Sequence, residues 1–387
     1  MIDTRPGLLA LALIGGSAFA QEPSQPQTAV DGSILTWRGE RQVEGYRSIS
    51  EISPTRSLGA GTRHLTFTDD FQDLSAVRFA VAGEMLGIED YMTRDRVAGL
   101  LVLRNGEVLY ERYGLGNDRN SRWISFSVAK SVTSMMVGAA IQDGYIGSVN
   151  DPVTDYLPQL RGSAYGRASI EDVLHMASGV DWNEDYADPD SDVSRAGGLN
   201  ALALYAYMNT LGVAAEPGER FNYNTGESNL LGGIVRAAVG DNLAHYVERK
   251  LWRPYMESDA TWLADADYEV ELGGCCINAT LRDYARIGQF ALDDGVLPDG
   301  TRVLPEGWMK ASTTPSPGYD GYGYQWWLLA DGKFAALGVF GQLIWINPKT
   351  RTIIAAHGAW PAAVGDALEA SQFAMADAID AALDPAP

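Results

Sequence analysis

The stretch VAGLLVLRNGEVLYERYG, residues 97–114, joins two β-rich runs at Asn105-Gly106, the dipeptide favoured by tight type I′ hairpin turns. Far down the chain a second set of strands follows: GYGYQWWLLA, KFAALG, GQLIWIN and RTIIAAHG, separated by short turns at Asp331-Gly332 and Pro348-Lys349. Turns that short force antiparallel pairing. Residues from about 145 to 270 read instead as helix and loop, and a last helix is expected over roughly 363–383. Strands at both ends with helices between predict an α+β fold, an α/β sandwich. One antiparallel sheet is assembled from both chain ends and flanked by helices, with a mainly helical region inserted. A site is expected at the seam of the two parts.

The segment after the hairpin, SFSVAKSVTSMMVGAAIQDG, is helical in its interior and ends at Gly144. Its Ala, Gly and Ser content suits a helix packed on all sides. Ser127 and Lys130 are three residues apart, so their side chains share one face about one turn apart. Ser127 falls near the helix start, where developing negative charge is favoured. S-x-x-K alone occurs often by chance. Further on, SIEDVLHMASG opens with Ser169 as N-cap and two acids in its first turn. The loop DWNEDYADPDSDVSRAGG, 181–198, is acidic and aromatic and long enough to be a binding loop or lid. It carries Trp182 and Tyr186, which either line a pocket or anchor the loop by packing.

A chain of 387 residues with 50 acids against 29 bases has a formal net charge of −21. No basic stripe is present to track phosphates, so neither nucleic acid nor an anionic membrane surface is an expected partner. Residues 1–20 read as a signal peptide: Arg5, the apolar run LLALALIGG, and a small-residue cleavage pattern at Ala18-Phe19-Ala20. Export to the periplasm or outside is therefore expected, without stable membrane insertion, since that run is too short to span a bilayer. An N-terminal extended arm is expected over 21–85, and the main domain over 86–387. Cys275 and Cys276 are adjacent and lack a matching His cluster, so they read as small buried residues rather than a zinc site or a disulfide. With 4 His and no H-E-x-x-H, no metal or other cofactor is expected. His175 reads as a structural histidine, and His357, near the end of the last strand, is given no role.

Four further stretches give S-x-x-K its context. ASIEDVLHMASGVDW (168–182) resembles the I-x-D-L-L-x-H-x-S-G-L segment of the penicillin-binding, class C β-lactamase-like serine hydrolases. PGERFNYNTGESNLLGGIV (217–235) resembles that family's P-G-x-x-F-x-Y-S-N segment, and GGCCINATLRDYARIGQFAL its G-G-x-x-x-T-x-x-D-x-A-R-F segment. LGVFGQLIWINP (337–348) stands where the family has its K-T-G or H-x-G strand. The order matches, and the resemblance covers roughly 90–380. The hairpin, the W-x-E-D-Y-x-D-P-x-S-D-V loop and the G-x-x-G-Q strand resemble most the 6-aminohexanoate-dimer hydrolase-like branch, near the family VIII carboxylesterases.

The resemblance implies a β-lactamase/transpeptidase-like fold. It also implies acyl transfer to water, with Ser127 as nucleophile and Lys130 and Tyr223 sharing the base and acid roles. The backbone N–H groups of Ser127 and Gln342 would form the oxyanion hole. Trp182, Tyr186, Val339, Phe340 and Gly341 are candidates for contact with a small ester or amide substrate. Two positions depart from the family pattern. Thr225 stands at the family's asparagine, with Asn224 one place early, and Val339-Phe340 stand at its Lys or His. Val-Phe offers nothing to a substrate carboxylate, which disfavours β-lactamase or D,D-peptidase activity relative to esters and linear amides. An apolar residue there can also be plain core packing. A catalytically idle binding protein of the same fold is the remaining alternative.

Overall fold

In the computed structural model, which describes residues 33–383 apart from 266, 268 and 269, the chain enters through a helix (Gly39–Arg47) and strands β1 (Thr55–Leu58) and β2 (Thr68–Asp69). A small hairpin, β3 (Phe79–Val81) and β4 (Glu84–Leu86), precedes the long one, β5 (Val97–Arg104) and β6 (Glu107–Tyr113). Asn105 and Gly106 have φ of 53° and 82°, as a type I′ turn requires. After β7 (Arg122–Ile124) the helical part runs to β8 (Ala260–Leu263) and β9 (Ile277–Thr280). The chain closes with β10 (Trp327–Leu328), β11 (Phe334–Gly338), β12 (Gln342–Asn347), β13 (Thr352–Gly358) and a helix at Asp366–Leu383. The expected signal segment lies outside the described residues.

The main sheet has the order β10-β11-β12-β13-β5-β6-β2. It is antiparallel except where β2 runs parallel to β6. Its seam is the β13–β5 pair, from Thr352 opposite Arg104 to Gly358 opposite Val97, so the sheet does join both chain ends. Alternation along β5 shows why it sits centrally. Leu101 and Leu103 enter one core with Leu281, Tyr284 and Ile287, while Leu100 and Val102 enter another with Met375 and Ile379. Both faces are covered by helices, Leu281–Leu292 on one side and Asp366–Leu383 on the other. A second sheet, β1-β8-β9-β7, carries the chain from the strand region into the serine helix.

Two expectations change. The arm expected over 21–85 is, in its described part, built into the body. The Gly39–Arg47 helix buries Tyr46 against Trp123, Phe126 and Phe340, and β1 pairs with β8. The strand expected over GYGYQWWLLA is reduced to Trp327–Leu328, because Gln325 takes a φ of 61° and breaks the extended run. Cys275 and Cys276 pack side by side in the cluster of Trp123 and Phe126, Cys276 buried and Cys275 half-buried. Among the described residues no helix is long and apolar enough to cross a membrane.

Candidate active site

The S-x-x-K segment forms a helix over Val128–Gln142, and every residue from Val128 to Ala140 is buried, as its small side chains predict. Ser127 sits at its N-cap, but its hydroxyl caps no backbone N–H, which leaves it available to other side chains. Phe126, immediately before it, has a φ of 45°. A bulky residue in that region costs on the order of 1–3 kcal/mol and persists only when its surroundings enforce it. Tyr46 and Phe340 supply that enforcement, with ring centroids 5.1 and 5.4 Å from Phe126. The resulting sharp turn from β7 into the helix presents Ser127.

Lys130 reaches back along the helix face and donates to Ser127 Oγ at 3.0 Å and to the Gly274 carbonyl at 2.9 Å. Burial pulls its ammonium down to about 8, partly opposed by the carboxylate of Glu184. Tyr223 lies across from it, with Lys130 Nζ 5.4 Å from the ring centroid and Ser127 as hydrogen-bond partner of the phenol. Burial, and then Glu184, push that phenol far above its ordinary range. Trp327 stacks on Tyr223 and Tyr322 meets it edge-on, which fixes the ring. Ser127, Lys130 and Tyr223, far apart in sequence, are thus brought to one point. A hydroxyl, a lysine whose ammonium is weakened by burial and a buried phenol can together activate a nucleophile and return its proton.

Glu184 is the site residue that sequence reasoning passed over. One oxygen accepts from Trp182 Nε1 at 2.5 Å and the Thr225 backbone N–H at 2.9 Å. The other accepts from the Tyr186 hydroxyl at 2.7 Å and from Thr225 Oγ1. Trp182 and Tyr186 therefore anchor the 181–198 loop through this carboxylate, and Thr225, the departure from the family pattern, supplies two of its donors. The signal was present in W-x-E-D-Y: an acid flanked at short range by two aromatic hydrogen-bond donors. Asn224, one place earlier, caps the Thr225–Val239 helix by accepting from the Glu227 N–H at 3.1 Å.

The third motif departs furthest from expectation. Phe340 is fully buried among Tyr46, Phe126 and the Arg38 guanidinium. Gly341 is covered by Trp360, whose ring lies 2.5 Å from where a Cβ would stand. Neither lines an open cleft, and Val339 packs beside the same cluster. Phe340 is a core residue, while Val339 stays half-buried beside it. The Gln342 side chain closes the turn internally, donating to the carbonyls of Val339, Phe340 and Gly358. What touches the serine strand is Gly338, at the end of β11, packed on the Ser125 carbonyl. His175 bonds Ser316 Oγ through Nδ1 at 2.9 Å and meets the Tyr324 ring, a structural role as expected. His357 is buried between Trp123 and Tyr284 and held neutral by burial, which pushes it down to about 3.

Residues 88–372 match the family model described as Beta-lactamase. The 6-aminohexanoate-dimer hydrolase of Paenarthrobacter ureafaciens is 32% identical over 308 residues, covering 73% of this chain and 77% of that protein. A Beta-lactamase of Pseudomonas fluorescens is 25% identical over 172 residues, covering 42% and 45%. A solved structure from Bacillus anthracis, described as a candidate 6-aminohexanoate-dimer hydrolase, superposes with a TM-score of 0.81 at 22% identity, over 90% of this chain and 95% of that one. A class C beta-lactamase superposes at 0.55 with 17% identity, over 75% and 93%. At such identities the superpositions speak for the fold.

Proposed function

The chain belongs to the beta-lactamase family of serine hydrolases, and from that premise we propose that it cleaves a carboxylic ester or a linear amide through an acyl-enzyme on Ser127. The observation that carries the reading is the 3.0 Å contact between Lys130 Nζ and Ser127 Oγ, with the lysine buried and drawn toward neutrality. Ser127 Oγ attacks the substrate carbonyl carbon as its proton passes to the Lys130–Tyr223 pair. The tetrahedral oxyanion is held in this reading by the backbone N–H of Ser127 at the helix start. The same pair returns the proton to the departing alcohol or amine, and water then releases the acid from Ser127.

Three things support an ester or linear amide. The Val339-Phe340 motif offers no group to a substrate carboxylate. Among the described residues the carboxylate acting on both Lys130 and Tyr223 is that of Glu184, which does not attract a substrate carboxylate. The relative at 32% identity is named as a hydrolase of the 6-aminohexanoate dimer. Export from the cell is proposed on the sequence of residues 1–20 alone and is tested by N-terminal sequencing of the secreted protein.

The test is hydrolysis of a short p-nitrophenyl ester by the wild type and by Ser127→Ala, with nitrocefin and a linear amide dimer run in parallel. Turnover of ester or amide, lost in a folded Ser127→Ala, supports the reading. Nitrocefin turnover instead favours a β-lactamase. Equal activity in both proteins removes Ser127 from the mechanism. Inactivity on all three substrates favours the idle binding protein.

A further inference from the structure

We propose that Glu184 is a positioning residue for the reaction at Ser127: its carboxylate pins the 181–198 loop to the start of the Thr225–Val239 helix and sets the charge that Lys130 and Tyr223 face. The inference rests on the reading of Ser127 as nucleophile and concerns how the proton acceptor beside it is held.

Both oxygens of Glu184 are already engaged, each by two donors, from Trp182, Tyr186 and Thr225. A carboxylate so occupied has little capacity left for a substrate group. A plain loop anchor would need only the hydrogen bonds. This one is also placed where its charge reaches the two groups that handle the Ser127 proton. Around Lys130 the other partners are uncharged: Ser127 Oγ, the Gly274 carbonyl and the Tyr223 ring. Around Glu184 lie the neutral phenols of Tyr186, Tyr223 and Tyr322. Among the described residues, Glu184 is therefore the carboxylate set against the buried lysine. Without it, burial alone acts on the ammonium and Lys130 loses its proton at lower pH.

The geometry also accounts for the departure at residue 225. Threonine offers a hydroxyl as well as a backbone N–H, and both are spent on Glu184. The residue immediately after the Tyr223-Asn224 pair thus ties the tyrosine segment to the loop. The loop's own two aromatics, Trp182 and Tyr186, complete the cradle from the other side.

The test compares wild type, Glu184→Gln and Glu184→Asp by the pH profile of p-nitrophenyl ester turnover and by labelling of Ser127 with a fluorophosphonate across the same pH range. Whichever of Lys130 and Tyr223 takes the serine proton, the limb that belongs to Lys130 moves to lower pH when the charge is removed. The expected shift for Glu184→Gln is on the order of one pH unit. Glu184→Asp keeps the charge but withdraws it by one methylene, so its limb moves the same way by less. An amide at 184 can keep its oxygen on the two N–H donors and give its NH2 to the hydroxyls of Tyr186 and Thr225, which then accept; should Glu184→Gln nevertheless fail to fold, Glu184→Asp decides by the direction of its limb. Lower activity with an unmoved limb, in whichever variant folds, overturns the proposal and leaves Glu184 a loop anchor only. Absence of labelling in the wild type at every pH instead overturns the nucleophile reading, so the two failures are distinguishable.

Discussion

A Cβ placed on Gly338 would stand 2.3 Å from the carbonyl oxygen of Ser125. That carbonyl cannot retreat, because Ser125 is held on the Ile277 backbone by its N–H at 2.7 Å and by its hydroxyl, which accepts the Ile277 N–H at 2.8 Å. Gly338→Ala is expected to lower stability by about 1–3 kcal/mol, as overpacking does. Because Ser125 is two residues from the nucleophile, ester turnover should fall as well. Thermal unfolding beside a turnover assay checks both.

Lys130→Ala should reduce turnover by roughly 10²–10⁴-fold, the usual contribution of a positioned base or acid. Lys130→Arg should not restore it, since a guanidinium does not give up its proton and cannot fit the same two acceptors. Rates above about a tenth of wild type for Lys130→Arg would contradict a proton-transfer role.

Tyr223→Phe keeps the ring between Trp327 and Tyr322 and removes only the hydroxyl. The melting temperature should stay close to wild type while turnover falls by roughly 10²-fold or more. A matched loss of stability would mean that the phenol matters for packing. Unchanged turnover would assign the proton to Lys130 alone.

Glu227 lies in the helix that follows Tyr223, fully buried, with Ser178 and Asn224 on one oxygen and no protein partner on the other. Burial raises its carboxyl well above the ordinary range. Its folded value exceeds its unfolded one, so its stabilising contribution is complete below the ordinary carboxylate range and is lost as pH climbs through the raised value. Glu227→Gln should therefore gain stability over wild type as the buffer is made more alkaline, and lose that advantage in acid. Melting curves of both proteins between pH 4 and pH 9 measure it; parallel curves would show that the Glu227 carboxyl titrates alike in the folded and unfolded chain and is not raised by burial.

Much of this was legible before any coordinates. Asn105-Gly106 can make few turns other than the one it makes, and the small-residue run after Ser127 could only be a helix buried on every side. Ser127, Lys130 and Tyr223 stood out because the chemistry needs those residue types and four surrounding segments agreed in order. Glu184 did not stand out, because it sits among Asp181, Asp185, Asp188 and Asp190, where an acid reads as solvated charge. Only the four donors around it distinguish it, and they come from both sides of the Tyr223 segment. Phe340 misled in the opposite sense. A three-residue turn after a strand looks open to solvent, and nothing local announces that the Gly39–Arg47 helix folds over it.

The seam of the main sheet has a consequence during synthesis. β5 is a run of hydrophobic residues, and its β13 neighbour is made about 250 residues later, which at ribosomal rates of about 5–20 residues per second is roughly 10–50 s. Through that interval one edge of β5 has no native mate and offers its hydrogen-bonding groups to any other nascent chain. The helical part can compact early, but the sheet that supports it closes only when the last strands leave the ribosome. Yield on overexpression should then depend on translation speed and temperature more steeply than the stability of the finished protein would suggest.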